Sequence, residues 1–356
     1  MPSSRPPDGL WHHEDFAIGE TLTLGSRRVT KAEIIAFARA YDPQPIHLDE
    51  ESAKHSMVGG LCASGFHTCG LLMRILCDEI LNRSTSLGSP GVDAVKWLIP
   101  VRPDDTLSAR LTCTEKRNLS SRPDVGISKM LFELLNQHNA VVMSWDSTQF
   151  MRRRSPGTGS SPAFARTPAA TIVNNWELGN APAPSRTSNF FEDRQVGEVY
   201  DLSRHTFTRD DIIAFARDFD PQPFHLSDEA GRNSLFGGLA ASGWHTAAIF
   251  VRQNVTWRQA LEAEIHNAGN PVAQWGPSPG IKGIYWIKPV LVGDTIAFRG
   301  RTTEKIELKS RPNRGLIINE TQGRNQRGEL VFRIGGQIFV ERRATALSQF
   351  DSEWGP

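Results

Sequence analysis

Two stretches of the chain carry an acid and an imidazole at the same spacing. One is Asp42-Pro43-Gln44-Pro45-Ile46-His47-Leu48, and the other is Asp220-Pro221-Gln222-Pro223-Phe224-His225-Leu226. Proline fixes its own φ and pushes the residue before it out of the helical region. Each segment is therefore predicted to be a stiff, extended loop rather than helix. Such a loop would hold two titratable groups at a nearly fixed separation, as a water-activating or proton-shuttling pair requires. Histidine is the natural base near neutral pH. The competing reading is structural: Asp before Pro often bonds its own backbone, and a nearby His caps a turn. The second copy favours chemistry. Asp, both Pro, Gln and His are kept in both copies, while neighbours such as Ala32/Asp210 and Ala40/Asp218 differ.

Ser64-Gly65 and Ser242-Gly243 come next. Ser is a good N-cap, and Gly lets a substrate approach the backbone. The free N–H groups and the positive end of the following helix could then hold a developing oxyanion. Equally, Gly allows tight helix packing, and both readings stand. His67 and His245 lie one turn into the same helix, where a satisfied core histidine is the commoner outcome. Arg122 and Arg311 sit at hairpin turns from which they could reach phosphates, although a solvated turn arginine is the simpler reading. Cys62, Cys69, Cys77 and Cys113 align with Ala240, Ala247, Val255 and Thr302, so a chemistry shared by both copies cannot depend on them. No C-x-x-C pair, metal-ligand cluster, Gly-rich nucleotide loop or nucleophile elbow stands out.

These residues recur because the chain is duplicated. Asp15/Asp193, Gly19/Gly197, Thr30/Thr208 and Asp42/Asp220 are each 178 residues apart. Over residues 30–50 against 208–228, 13 of 21 positions are identical, and over 59–68 against 237–246, 8 of 10 are. From Pro100/Pro289 through Asp105/Asp294 to Arg122/Arg311 the offset is 189, so copy two carries 11 extra residues between about Arg252 and Lys288. Each copy begins with a short strand (Glu20 to Val29). A helix follows behind a Thr30-x-x-Glu33 capping box, or Thr208 to Asp211 in copy two, and Asp42-Pro43 ends it. After the Asp…His loop, an apolar helix runs to about Leu81 in copy one and about Leu261 in copy two. It is apolar on most of its circumference and is predicted to be buried. Strands at Val95 to Val101, Leu107 to Lys116, Val125 to Asn136 and Val141 to Met151 complete an antiparallel meander. Ser121 to Asp124 and Ser310 to Asn313 mark its turns. Residues 10–153 and 189–345 are read as two domains, and the Pro/Ser/Ala-rich stretch 154–188 as a surface linker. A long helix wrapped by an antiparallel sheet, built twice, is an α+β arrangement in which the copies cover each other as a covalent pseudo-dimer.

The 356 residues suffice for two cores. The formal net charge of +1 gives no reason to expect nucleic acid or an anionic membrane as partner. Neither a signal-peptide run nor an unbroken apolar stretch of membrane-spanning length is present, so a cytoplasmic protein is the expectation.

Asp-x-x-Pro-x-His, followed by a Gly that opens a long apolar helix, resembles the MaoC-like dehydratases and (R)-specific enoyl-CoA hydratases. The resemblance covers nearly the whole chain, twice. Pro289 to Thr295 fits the same pattern, and copy one has Asp104 where copy two has Gly293. The resemblance implies tandem hot-dog domains with sites at the interface between units. It implies that Asp42 and His47 hold the water added across a 2-enoyl thioester, and that Gly65 holds the thioester oxygen, with Asp220, His225 and Gly243 doing the same in copy two. No cofactor is implied, because the thioester carbonyl itself acidifies C2. The expected partner is an acyl-CoA or acyl carrier protein thioester. Assembly beyond the intrachain pair is left open. A hot-dog thioesterase and a non-catalytic acyl-CoA-binding module are the competing classes. Gln44 and Gln222 depart from the family, which usually carries Asn there.

Overall fold

The computed structural model describes Pro6 and residues 9–155 and 181–343. Most of the expected linker, residues 156–180, and the last two residues of the expected second domain lie outside these. The first copy comprises β1 (Thr21–Arg28), α1 (Lys31–Tyr41), α2 (Pro45–Leu48), α3 (Glu50–Lys54), α4 (Gly65–Glu79), β2 (Ser86–Gly88), β3 (Gly91–Trp97), β4 (Thr106–Leu119), β5 (Arg122–Leu135) and β6 (Val141–Arg152). The second comprises β7 (Val199–Thr206), α5 (Arg209–Phe219), α6 (Pro223–Leu226), α7 (Asp228–Arg232), α8 (Gly243–Asn267), β8 (Gly280–Trp286), β9 (Thr295–Glu307), β10 (Arg314–Arg324) and β11 (Leu330–Glu341).

All strands join one antiparallel sheet in the order β1-β4-β5-β6-β3-β8-β11-β10-β9-β7, with β2 on β6. The copies meet where β3 pairs with β8, Gly91 opposite Tyr285 and Lys96 opposite Gly280. A Cβ at Gly91 would stand 2.2 Å from Ile284 O, so this close approach requires glycine. The expected tandem hot-dog is present: each half of the sheet wraps its own long helix, α4 or α8. Leu71, Leu72, Ile75 and Leu76 of α4 are buried, as its apolar circumference predicts. Among the described residues, no helix is long and apolar enough to cross a membrane.

The helices also tie the copies together. Arg74 of α4 donates to Arg217 O at the end of α5 (2.8 Å), and Arg252 of α8 donates to Ala40 O at the end of α1. Each thus satisfies a carbonyl that the helix end leaves free. Phe37 meets Phe219 edge-on at 5.4 Å, and Tyr41 meets Phe215 at 5.6 Å.

Several local expectations are corrected. The Asp…His segment is not wholly extended: Pro45–Leu48 and Pro223–Leu226 each form one helical turn behind Gln44 or Gln222. Proline is tolerated at the first helical position because its missing N–H has no helical partner there. The capping box at Thr30 is only half formed. Thr30 Oγ1 accepts the Glu33 N–H, but the Glu33 carboxylate turns to Arg27 (3.0 Å). Most of the insertion in copy two lengthens a helix rather than a loop, since α8 has 25 residues against 15 in α4 and ends at Asn267, not Leu261. Asp104 takes the left-handed conformation (φ 72°) that Gly293 takes in copy two (φ 87°). Asp tolerates that region better than most residues, and Arg28 bonds its carboxylate at 2.8 Å.

His67 and His245 are core residues, but not satisfied ones. Among the described residues, neither ring nitrogen of His67 has a hydrogen-bond partner, nor has Nδ1 of His245. The rings act as aromatic surfaces, stacked on Phe37 and Phe215 at 4.7 Å. Burial pushes both imidazoles down to about 3 from 6.5. Both are neutral in the folded chain, whereas the unfolded chain takes up protons as pH falls below about 6.5. Stability is therefore expected to fall as pH drops from about 6.5 towards 3, by on the order of 1 kcal/mol per pH unit for each histidine. Thermal unfolding between pH 7 and 5 checks this. The His67→Phe/His245→Phe variant should show a flatter pH dependence, and an unchanged slope would contradict it.

Candidate active site

The duplicated residues converge at two sites, one beneath the start of α4 and one beneath the start of α8. Asp42 and His47 are 3% and 6% exposed, and Asp220 and His225 are 2% and 5%, so both pairs are buried. His47 Nε2 lies 3.5 Å from Asp42 Oδ2, and His225 Nε2 lies 3.5 Å from Asp220 Oδ2. The far ring nitrogens fix the tautomer. Nδ1 of His47 is 2.8 Å from Cys62 O, and Nδ1 of His225 is 2.7 Å from Ala240 O. A carbonyl can only accept, so Nδ1 carries a proton, and in the neutral ring Nε2 presents a lone pair to the carboxylate. Two acceptors thus face each other, an arrangement suited to a water that donates one hydrogen to each.

The carboxylate is held from two sides. Ser64 Oγ donates to Asp42 Oδ2 (2.6 Å) and Ser242 Oγ to Asp220 Oδ2 (2.6 Å). The same oxygens accept the N–H of Phe66 and Trp244, so each serine caps its helix and orients the acid together. Gln44 Nε2 donates to Asp42 Oδ1 (2.7 Å), and Gln222 Nε2 to Asp220 Oδ1 (2.9 Å). The longer amide reaches back two residues to the acid, which accounts for glutamine at this position. The carboxylates are engaged by side chains, not by the backbone N–H groups of an Asx-turn.

Gly65 and Gly243 open the helices beside these pairs. A Cβ on Gly65 would stand 2.4 Å from the Trp97 indole, and one on Gly243 2.4 Å from the Trp286 indole. Each indole N–H donates to the carbonyl of its glycine (3.0 and 2.8 Å). Close packing is thus one reason for these glycines. The N–H of Gly65, at the first helical position, has no acceptor within the helix.

Each site opens into a cavity that crosses between copies. Asp42, His47 and Gly65 line a cavity of about 690 Å³ with Val251, Asn254, Trp257, Arg258 and Trp275 of the second copy. Asp220, His225 and Gly243 line one of about 350 Å³ with Met73, Leu76, Ile80 and Trp145 of the first. Arg311 lies at the first cavity, its exposed guanidinium over the Phe339 ring at 5.1 Å. Arg122 is not brought to the second: it opens β5 and pairs with Asp124 at 2.8 Å on the surface. The cysteines are buried and free of disulfides. They are not shared by the two copies, yet Cys77 Sγ donates to Asp220 Oδ1 at 3.3 Å, and copy two has Val255 in its place. No group of three or more metal-ligating side chains occurs among the described residues.

A family model described as a MaoC-like domain matches residues 15–131 and again 192–321. YdeM, an uncharacterized protein of Bacillus subtilis strain 168, is 27% identical over 140 residues, 39% of this chain and 98% of YdeM. Protein MaoC of Klebsiella aerogenes is 26% identical over 106 residues, 30% of this chain but only 31% of that protein's length. Among solved structures, a MaoC domain protein of Chloroflexus aurantiacus J-10-fl has TM-score 0.76 at 16% identity, covering 97% of this chain and 100% of its own. RV0216 of Mycobacterium tuberculosis, described as having a double hot-dog fold, has TM-score 0.67 at 12% identity, covering 94% and 100%. At such identities the likeness establishes the fold.

Proposed function

The chain belongs to the MaoC-like domain family, and from that premise we propose that it is a hydro-lyase that adds water reversibly across the C2–C3 double bond of a 2-enoyl thioester. The observation that carries this reading is the His Nε2–Asp Oδ2 pair at 3.5 Å, built twice, each with its tautomer fixed by a carbonyl.

The thioester enters the cavity with its carbonyl oxygen on the Gly65 N–H at the positive end of α4. A water between Asp42 Oδ2 and His47 Nε2 gives its proton to Nε2 as its oxygen bonds C3. The π electrons move to the carbonyl, and the enolate is held by the Gly65 N–H. The imidazolium then returns the proton to C2, so one water is added overall. Asp42 accepts a hydrogen bond from the water's second hydrogen, which stays on the oxygen as the 3-hydroxyl, and stabilises the imidazolium. Dehydration runs the same steps in reverse. Asp220, His225 and Gly243 repeat this in the second cavity. A CoA or carrier-protein pantetheine would leave the first cavity past Arg311.

The test is the absorbance of a panel of 2-enoyl-CoAs on adding the protein. Loss of the conjugated enoyl signal without free thiol is expected. Thiol release would mean a thioesterase, and binding without turnover would mean an acyl-binding module. Ser64→Ala should cost about 1 kcal/mol of stability through the lost cap. It should also lower kcat in the first site by roughly 10-fold or more, because Asp42 loses an orienting bond. KM should change little, and Ser64→Thr should restore part of the rate. A rise in KM alone would contradict this role.

A further inference from the structure

The two cavities use equivalent positions, yet their inner walls differ in chemistry. The second is lined by Phe16, Leu76, Ile80, Met130 and Phe132. At the same places in the repeat the first is lined by Arg194, Asn254, Arg258, Asn319 and Thr321. Five apolar side chains in one are five polar ones in the other.

Arg258 stands out among them. It is 8% exposed, and its guanidinium forms no hydrogen bond or ion pair among the described residues, Nε being fully buried. It lies over the Trp275 ring at 5.5 Å, whose own Nε1–H also has no acceptor among the described residues. Burial lowers its pKa, and the nearby Asp42 charge partly offsets this. Asp42 cannot serve as its partner, being held by Ser64 and Gln44 and facing His47. Glu262, one turn further along α8, influences Arg258 without pairing to it. Arg194 differs: Glu198, fully buried, pairs with it and also accepts from Thr302 Oγ1 at 2.9 Å. Among the described residues, Arg258 is therefore a buried cation near the acid–base pair with no directly bonded counter-ion, although the Asp42 and Glu262 charges act on it from a distance. A buried charge without a counter-ion is costly, and the guanidinium fork matches a carboxylate.

We infer that the first cavity takes a short acyl thioester whose acyl group ends in a carboxylate, received by Arg258 with Asn254 beside it, while the second takes an apolar acyl group. This rests on reading both cavities as thioester sites. The carrier's phosphates belong at the exposed rim near Arg311, which leaves the buried cation for the acyl end.

Calorimetry on the full chain with two saturated probes, glutaryl-CoA and pentanoyl-CoA, tests it without turnover. They share five acyl carbons and differ by a carboxylate against a methyl. Glutaryl-CoA should bind one site per chain, and pentanoyl-CoA should bind another without competing. Arg258→Met should weaken glutaryl-CoA by roughly 10-fold or more, and Arg258→Lys should keep part of the affinity. Competition of the probes for the same sites at equal affinity would overturn the inference from the unmutated protein alone. A glutaryl preference that survives Arg258→Met would overturn it as well. Hydration of 2-pentenoyl-CoA without probe discrimination would sink this inference and leave the hydro-lyase reading standing. Discrimination without hydration of either matching enoyl-CoA would do the opposite.

Discussion

Replacing both Asp42 and Asp220 by Asn should lower turnover of 2-enoyl-CoAs by roughly 10²- to 10⁴-fold, the range that positioned acid–base groups supply. Each single mutant should keep one working site. The expectation follows from geometry that is the same in both sites. The imidazole–carboxylate separation is 3.5 Å in each, and the serine bond to the carboxylate is 2.6 Å in each. Asn is nearly isosteric, so the fold should survive, but its amide presents a donor where the carboxylate only accepts. It also carries no charge to stabilise an imidazolium. With the first cavity selecting a carboxylate, Asp42→Asn should silence the carboxylate-bearing substrate and Asp220→Asn the apolar one. Assays of all three variants with 2-pentenoyl-CoA and glutaconyl-CoA decide the matter. If one single mutant is as inactive as the double on both substrates, the chain has one working site and the other pair is structural.

Gly65→Ala is expected to cost about 2–4 kcal/mol, from overpacking together with the loss of a hydrogen bond. The added Cβ would lie 2.4, 2.7 and 2.8 Å from three atoms of the Trp97 ring. A flat indole cannot yield by rotating one flexible end. It must move as a whole, and its Nε1–H then leaves Gly65 O. Gly243→Ala should behave alike against Trp286. Stability and rate together separate the two roles of this glycine. In Gly65→Ala/Trp97→Phe the smaller ring relieves the clash, so much of the stability should return. If turnover at that site stays low, the glycine is also needed for close approach of the thioester oxygen to the backbone. If turnover returns with stability, packing is its whole purpose. An unchanged melting temperature in the single mutant would contradict the packing argument itself.

The Asp…His pairing, the serine caps and the buried helices were legible in the chain because each rests on short-range constraints, whereas the tandem hot-dog followed from the family resemblance. Pro43 ends a helix, Ser64 caps one, and the apolar circumference of 65–79 can only be buried. Duplication raised these local signals above coincidence. The contrast between Ile80 and Arg258 also stood in the aligned copies, but it had no meaning there. Other features needed the folded chain. The bond from Gln44 to Asp42 depends on a side-chain conformation that spacing does not specify. Arg311 reaches a cavity and Arg122 does not, although both sit at the same turn of the repeat. Each cavity is closed by side chains of the other copy, far away along the chain. Which of them meet depends on the edge-to-edge pairing of β3 with β8 and the crossing of α4 with α8. The sequence by itself determined which candidate residues each copy carries, since these are written in short repeated motifs. Only the tertiary structure decided which side chains wall each cavity, because those walls are assembled across an interface that no local pattern encodes.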